Sequence, residues 1–461
     1  MDGSGEQALC EGRRAARRGA GGGGRERGSG GGAGARIGLA GGRAVSYGAR
    51  MSETDDIIPE SHGETPGARP VVRLKPKAGR RFFAGAPWVY QDELVLDRRT
   101  RRIAAGSVAE LQDAERRPLG LVAVNLESGI AGRLLDRDPA AEIDGAWLRA
   151  RLARALALRE RLFEAPFYRL VHAEADGLPG LIVDRFGDAC VMQPNAAWAD
   201  ARADEIAAAL REVAGVGTVM LNAGSRARGL EGLAGESRLL SGALEGPVEV
   251  PMNGAVYLAD LVGGQKTGLY FDQRPNHAFV ARLCEGARVL DVFSHVGGFA
   301  LAALAGGAAT ALAVDGSEPA LALASEGARR SGFGERFSVR RADAFDALGE
   351  LGEAGERFEV VICDPPAFAP AKSALQNGLR AYARVARLAA RVTAPGGFLT
   401  LCSCSHAADP AAFRAACVRG IEQAGREAQL LRFGEAGPDH PEHPGLPETS
   451  YLKALTFRLD G

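Results

Sequence analysis

Two apolar runs in the C-terminal third end in groups that could do chemistry. Val360 to Phe368 reads VVICDPPAF, and Phe398 to Ser405 reads FLTLCSCS. Short continuous apolar stretches of this kind mark strands buried on both faces. The first releases Asp364 followed by Pro365 and Pro366, and the second ends at Cys404. A carboxyl that can share a proton, paired with a thiol that can attack as a thiolate, fits covalent chemistry on a flat heterocycle. Asp291, Asp315 and Asp343 close three further apolar runs, ARVLDVF, ATALAVD and FSVRRAD. A single acid after a strand is ordinarily a helix N-cap. Four acids and a thiol in consecutive units are harder to read as caps alone.

The elements that must position these groups follow from the pattern after Ala287. Apolar strands alternate with amphipathic helices: ARVLDVF with GGFALAALAG, ATALAVD with SEPALALASEGARRSG, FSVRRAD with AFDALGELGEAG. FEVVICD then precedes a helix from about Ala374 to Val392, GFLTLCSC precedes DPAAFRAACVRGIEQAG, and AQLLRF and SYLKALTFRL close the chain. This alternation predicts an α/β fold with a parallel, doubly wound sheet covered on both faces. Ligands in such sheets bind beyond the carboxyl ends of the strands, where all five groups fall. Cys402 and Cys404 lie two apart on one strand and share a face, with Cys404 nearer the carboxyl end. Cys402 reads as a small buried hydrophobe, and Cys363, facing away from Asp364, as packing.

Upstream, residues 139–250 predict a small α/β domain of EEHEE type. YRLVHAE and LIVDRF bracket the turn sequence DGLPG, a helix runs from Asp200 as N-cap to Val213, and TVMLN follows. Residues 71–138 carry short β-like runs (VVRL, SVAELQD, PLGLVAVN, IAGRLL) that predict a barrel-like all-β module. Its first third is rich in arginine, Arg80 and Arg81 included, interleaved with Phe82, Phe83, Trp88 and Tyr90. Phosphate contacts with base stacking is one reading, and a solvated basic edge beside core aromatics is the other. Residues 1–68 are rich in Gly, Ala and Arg and cannot bury a core, so a disordered tail is expected. Met51 opens a different, acidic stretch and is an alternative start.

Composition narrows the class. With 461 residues, two or three domains are expected, and 46% apolar with 25% charged residues is globular usage. Lys and Arg (56) nearly cancel Asp and Glu (57), so only local charge speaks about partners. The longest apolar stretch, Phe299 to Val314, is broken by Gly306 and Gly307 and is too short for a bilayer. Seven cysteines without metal-finger spacing predict reduced thiols in a cytoplasmic protein, with no metal and no membrane partner.

The first turn, DVFSHVGGF (291–299), lacks GxGxxG, which disfavours a dinucleotide. Gly297 and Gly298 still permit close backbone approach. Asp315 stands where a carboxylate accepts ribose hydroxyls, and Asp343 could take an adenine amino group. An adenosine-bearing ligand without a pyrophosphate points to S-adenosyl-L-methionine.

The set DVFSHVGGF, AVDGS, RRADAF, CDPPAF and LCSCS is similar to the class I S-adenosylmethionine-dependent methyltransferases. Within them it resembles the bacterial 23S rRNA cytosine-5 methyltransferases with an N-terminal PUA domain. The resemblance covers nearly all of residues 71–461, through HAEADGLPGLIVDRFGD (172–188), QKTGLYFDQRPN (265–276), Lys372, DHP (439–441) and SYLKAL (450–455). It implies a Rossmann-like catalytic domain at 251–461 and a PUA-like RNA-binding domain at 71–138. It implies that Asp291, Phe293 and Gly297 line the methionine end of the cofactor, that Asp315 holds the ribose and Asp343 the adenine. The GLYFDQR segment, Gln273 with it, would close over that pocket, and Asp364 would also bind the cofactor. Pro365, Pro366, Phe368 and Lys372 would belong to the substrate loop, Arg80 and Arg81 to the RNA-binding module, and Cys404 would be the thiol. His295 and Val296 depart from the commoner Tyr and Thr, Ala367 replaces a frequent Lys, and Cys402 is an additional thiol.

The expected chemistry follows from the weakness of pyrimidine carbon 5 as a nucleophile. Thiolate addition at C6 makes C5 enamine-like, able to attack a sulfonium methyl, and loss of the C5 proton then expels the thiol. Asp364 would share a proton with N3. The target base must be unpaired or flipped out. The expected partner is 23S rRNA, free or in an assembly intermediate, and a homodimer is a further expectation. Two rivals stand beside this reading: methylation of a base amino group, which needs no thiol, and a non-catalytic RNA-binding or ribosome-assembly factor.

Overall fold

A computed structural model describes residues 69–264 and 268–460. The Gly- and Arg-rich segment 1–68, Met51 with it, and Gln265 to Thr267 of the QKTGLYFDQRPN run lie outside the described residues.

The C-terminal half is built on seven strands: β1 (Arg288–Val292), β2 (Thr310–Asp315), β3 (Phe337–Arg341), β4 (Phe358–Cys363), β5 (Thr393–Ser403), β6 (Glu427–Gly434) and β7 (Lys453–Asp460). Their order in the sheet is 3-2-1-4-5-7-6. β1 to β5 pair in parallel, as the apolar runs predict. β7 differs from the all-parallel expectation: it inserts between β5 and β6, antiparallel to both. It returns from β6 through a loop rather than a crossover helix, so the connection imposes no parallel direction.

Six helices cover the faces: α1 (Arg274–Ala281), α2 (Gly298–Ala305), α3 (Glu318–Arg330), α4 (Ala344–Glu353), α5 (Leu375–Val392) and α6 (Pro410–Gln423). Side chains cap three of them, Ser317 for α3, Asp343 for α4 and Asp409 for α6. Helices α5 and α6 pack closely because Gly420 lets the α6 backbone meet Ala383, Ala386 and Arg387 of α5. Gly378 of α5 likewise lies flat against Phe368 and Ala369, which fixes the loop after β4.

Residues 167–241 form a second five-stranded sheet, with the helices Gly145–Leu162 and Ala203–Ala214 of the same region. Three strands precede the Ala203–Ala214 helix rather than the two of an EEHEE pattern, because Ala189–Pro194 turns back onto Leu181–Phe186 at Gly187, whose φ is 66°. Asp200 is not the N-cap expected of it. Its carboxylate accepts from Arg228 Nη1 at 2.8 Å, and the helix breaks at Arg202. Residues 71–136 form a third, mixed five-stranded sheet, which includes a two-residue strand, Trp88–Val89.

One segment, residues 437–449 between β6 and β7, touches all three sheets' regions. Asp439 accepts from the Arg169 amide at 3.0 Å, and its carbonyl accepts from buried Arg159 at 2.9 Å. Gly445 lies against the Ala86 backbone, and Glu448 pairs with Arg81 at 2.5 Å. Arg159 is itself held by Asp176 in a two-pronged pair of 2.6 and 2.8 Å.

Two helical glycines should respond oppositely to alanine. At Gly420 a Cβ would collide with the Ala383 carbonyl and lie 2.7 Å from Ala386 Cβ, so Gly420→Ala should destabilise by roughly 1–3 kcal/mol. At Gly349, inside α4, nothing lies within 4 Å of the new Cβ, so Gly349→Ala should stabilise by about 0.5–1 kcal/mol. Denaturant titration of both variants checks the pair; equal shifts would contradict this packing.

Candidate active site

The strand order reverses between β1 and β4, and at that point helices leave in opposite directions. A crevice opens there beyond the carboxyl ends. Asp291 lies within β1, Asp315 ends β2, Asp364 follows β4 directly and Cys404 follows β5 directly. Asp343 stands two residues past β3.

Backbone strain shapes the first turn. Phe293 and His295 hold φ of 64° and 50°, left-handed values that cost a non-glycine residue about 1 kcal/mol or more, and Gly297 holds 80°. Asp315 secures that turn: its Oδ2 accepts from the His295 amide at 2.9 Å and its Oδ1 from the Ser317 amide at 2.8 Å. Asp291 is 1% exposed, and its Oδ2 accepts from the Ala300 amide at 2.9 Å near the start of α2. Burial, helped by Asp364 and Asp315 nearby, pushes its carboxyl up to about 8. Asp291 Oδ1 and Ser294 Oγ are both buried with no hydrogen-bond partner. Such orphaned polar atoms suit a polar, cationic ligand end that brings its own donors.

Asp343 fulfils the bland expectation in part. It caps α4 through Oδ1, which accepts from the Phe345 and Asp346 amides at 2.8 and 3.2 Å. Oδ2 takes no part in the cap, and the residue is exposed.

The thiol loop is tied to its neighbours by the two serines that flank Cys404. Ser403 Oγ donates to Tyr382 Oη at 2.8 Å, Ser405 Oγ lies 2.8 Å from the same hydroxyl, and Ser405 Oγ accepts from the Ala369 amide at 3.0 Å. Both serines are fully buried, so α5 and the loop after β4 together orient the residue between them. Among the described cysteines Cys404 alone is not buried. Cys402 is buried in the sheet, where desolvation pushes its thiol far up, and Cys363 is raised likewise.

Gln273 links the segment before α1 to Asp364. Its Oε1 accepts from Asn276 at 2.7 Å, which turns its Nε2 toward Asp364 Oδ2 at 3.0 Å. Pro365 is buried and Pro366 exposed, while Lys372 is exposed at the turn before α5. The Phe368 ring packs against Phe293, Phe345 and Tyr382, with centroids 6.2, 6.1 and 5.0 Å away. Arg80 is exposed on the short helix Arg80–Phe83. Arg81 donates to Tyr90 at 3.0 Å besides pairing with Glu448, whose carbonyl lies 3.2 Å from His406 Nδ1. That chain of contacts brings the basic helix near the thiol loop.

Several residues in this region were not singled out by sequence reasoning. Tyr270 packs its ring on His295 at 5.2 Å, and its hydroxyl is raised by burial and by the charges of Asp272, Asp364, Cys404 and Asp315. It therefore stands among three of the five rim groups. Tyr451 donates to Asp272 Oδ2 at 2.5 Å, and Lys453 is buried beneath the thiol loop. All lie in the GLYFDQR and SYLKAL runs, so position within a motif was the available clue. Their burial was not.

A family model described as S-adenosylmethionine-dependent methyltransferase matches residues 203–458, and a PUA-like domain model matches residues 72–137. A ribosomal RNA large subunit methyltransferase I from Aeromonas salmonicida is 34% identical over 377 residues, covering 81% of this chain and 95% of that protein. One of the same name from Photobacterium profundum is 36% identical, covering 80% and 94%. In fold, the chain is similar to one from Streptococcus mutans described as a SAM-dependent methyltransferase, with TM-score 0.71, 18% identity and coverage of 84% and 100%. The matched span takes in all seven strands of the catalytic sheet but the last residues of β7, and the chain belongs to the S-adenosylmethionine-dependent methyltransferase family.

Proposed function

We propose that this enzyme methylates carbon 5 of a cytosine in large-subunit ribosomal RNA, with Cys404 as the nucleophile that adds to C6. The observation that carries the reading is the setting of Cys404. Among the described cysteines it alone is not buried, and it stands at the strand end beside the Asp364 loop, braced through Ser403 and Ser405. The rRNA substrate is taken from the relatives' names and the PUA-like match. No helix among the described residues is long and apolar enough to cross a membrane. The proposed site of action is the cytoplasm, on rRNA that is free or in an assembly intermediate.

When bound, S-adenosyl-L-methionine supplies an electrophilic methyl group on a cationic sulfur. Asp291, with its unpaired Oδ1, would hold the ammonium of the methionine end beside Phe293 and Gly297. Asp315 would accept the ribose hydroxyls and Asp343, through the oxygen its helix does not use, the adenine amine. Gln273 holds Asp364 in place to share a proton with N3, which offsets the charge that builds there as the thiolate adds. Pro365 and Pro366 stiffen that loop, and Lys372, Arg80 and Arg81 contact RNA phosphates. Phe368 already packs on three rings, so the stacking platform that an amino-group methylase needs is committed elsewhere.

Mass spectrometry of rRNA fragments from cells with and without the gene should show loss of one 5-methylcytidine. Unchanged 5-methylcytidine refutes the substrate. Cys404→Ala should lower turnover by roughly 10³-fold or more, whereas Cys402→Ala should still turn over. Retained activity in Cys404→Ala would move the assignment to the amino-group reading.

Asp291 predicts a proton signature. Its carboxyl, at about 8, is mostly protonated at pH 7, and a bound ammonium favours the carboxylate. Cofactor binding at pH 7 should therefore release close to one proton, and this release should fade as pH rises past about 8. Calorimetry in buffers of different ionisation enthalpy measures the count. Asp291→Asn should abolish it; an unchanged count in that variant would remove Asp291 from the site.

A further inference from the structure

Lys453 opens β7, and its Cα pairs across the sheet with that of Ser403, the residue before Cys404. Its side chain is buried, the residue being 4% exposed. Nζ donates to the carbonyl of Ser405 at 2.7 Å and to that of Ala408 at 2.9 Å. Among the described residues no carboxylate lies within ion-pair distance of it. An ammonium withdrawn from water costs several kcal/mol unless an anion balances it, and carbonyl dipoles supply only part of that balance. Asp409, the nearest acid in the same loop, caps α6 through the Ala412 amide at 2.8 Å.

Building on the assignment of Cys404 as nucleophile, we propose that Lys453 is its counter-ion: the buried ammonium holds the thiol as thiolate near neutral pH. Lys453 is thus a positioning residue that acts through Cys404 and does not touch substrate. The interaction is mutual: burial lowers the Lys453 ammonium, and the charge of Cys404, with a smaller share from Asp409, works against that lowering.

Among the described residues, the other groups near the thiol work against ionisation or are paired with a neighbour. Asp364 after β4, Asp272 and Tyr270 before α1, Tyr382 on α5 and Tyr451 before β7 bring negative or neutral oxygen. On its own loop, the His406 ring meets the Glu448 carbonyl. Arg169, which faces Tyr451, is paired with Asp184 at 2.6 Å. Among the described residues, Lys453 is the cation of this group that has no carboxylate within ion-pair distance.

The charge ledger is consistent through a cycle. Ionisation sends the thiol proton to solvent while the ammonium stays protonated. Addition forms the sulfur–carbon bond and moves the negative charge into the base, where Asp364 meets it. Once C5 carries the methyl group, its proton leaves to solvent and the C5–H pair forms the C5=C6 double bond. The sulfur–carbon bond then breaks, with its electron pair returning to sulfur beside Lys453. A thiol whose pKa lies near ambient pH is the best attacker, because thiolate population rises faster than intrinsic nucleophilicity falls.

The test uses the full chain without cofactor or RNA. The rate of Cys404 alkylation by iodoacetamide is followed against pH, with the modified peptide identified by mass spectrometry. The wild-type midpoint should lie below the ordinary value of about 8.5. Lys453→Arg should keep that midpoint. Lys453→Gln keeps donors for the two carbonyls but no charge, and should raise the midpoint by about one unit or more, slowing alkylation at pH 7 by roughly tenfold. A wild-type midpoint at or above 8.5, or a folded Gln variant with the wild-type midpoint, overturns the proposal. Should the Gln variant fail to fold, the wild-type titration decides alone. Failure of the nucleophile assignment is distinct: it would show as turnover retained in Cys404→Ala, whatever the thiol midpoint.

Discussion

Everything at this site depends on the reversal of strand order between β1 and β4. A parallel sheet must carry each strand's polar exit to the same rim, and only at the reversal do the following helices part and leave that rim uncovered. Polar and ionisable groups placed there are held by backbone amides and neighbouring side chains rather than by bulk water. This raises the cost of an unbalanced charge, and the fold answers with specific partners. Asp315 is matched by two amides, Asp364 by an amide side chain that is itself fixed by Asn276, and the residues around Cys404 by Tyr382.

The rim was legible in the sequence because its geometry follows from periodicity. Apolar runs that end in an acid or a thiol place those groups together once the sheet is parallel, with no knowledge of contacts. Strand direction was less legible: the β7 run is equally apolar in either orientation, and only the short return from β6 decides it. Ala189–Pro194 was hidden by its continuity with the preceding strand, since a single glycine with positive φ makes the turn. Asp200 had the composition of a cap, but Arg228, 28 residues away, competes for its carboxylate.

Within the site, the residue types at the strand ends could be read, whereas their division of labour could not. Asp343 both caps a helix and keeps one oxygen out of the cap, so the two readings of a strand-end acid are not exclusive. Asp315 offsets the strain of a left-handed His295 at the position where the chain departs from the commoner tyrosine. Tyr270 and Lys453 gain their importance from burial, a property of the assembled sheet that no local window carries.

Residues 437–449 bear on how such enzymes can be rebuilt. This segment is anchored on Arg159 and Arg169, pressed against Ala86 and ion-paired to Arg81, and it then runs directly into β7. The arginine-rich module is therefore not a detachable cassette. A chimera that swaps in a different PUA-like head would have to carry a matching version of this strap, because the surface that receives the head belongs to the catalytic half's own chain.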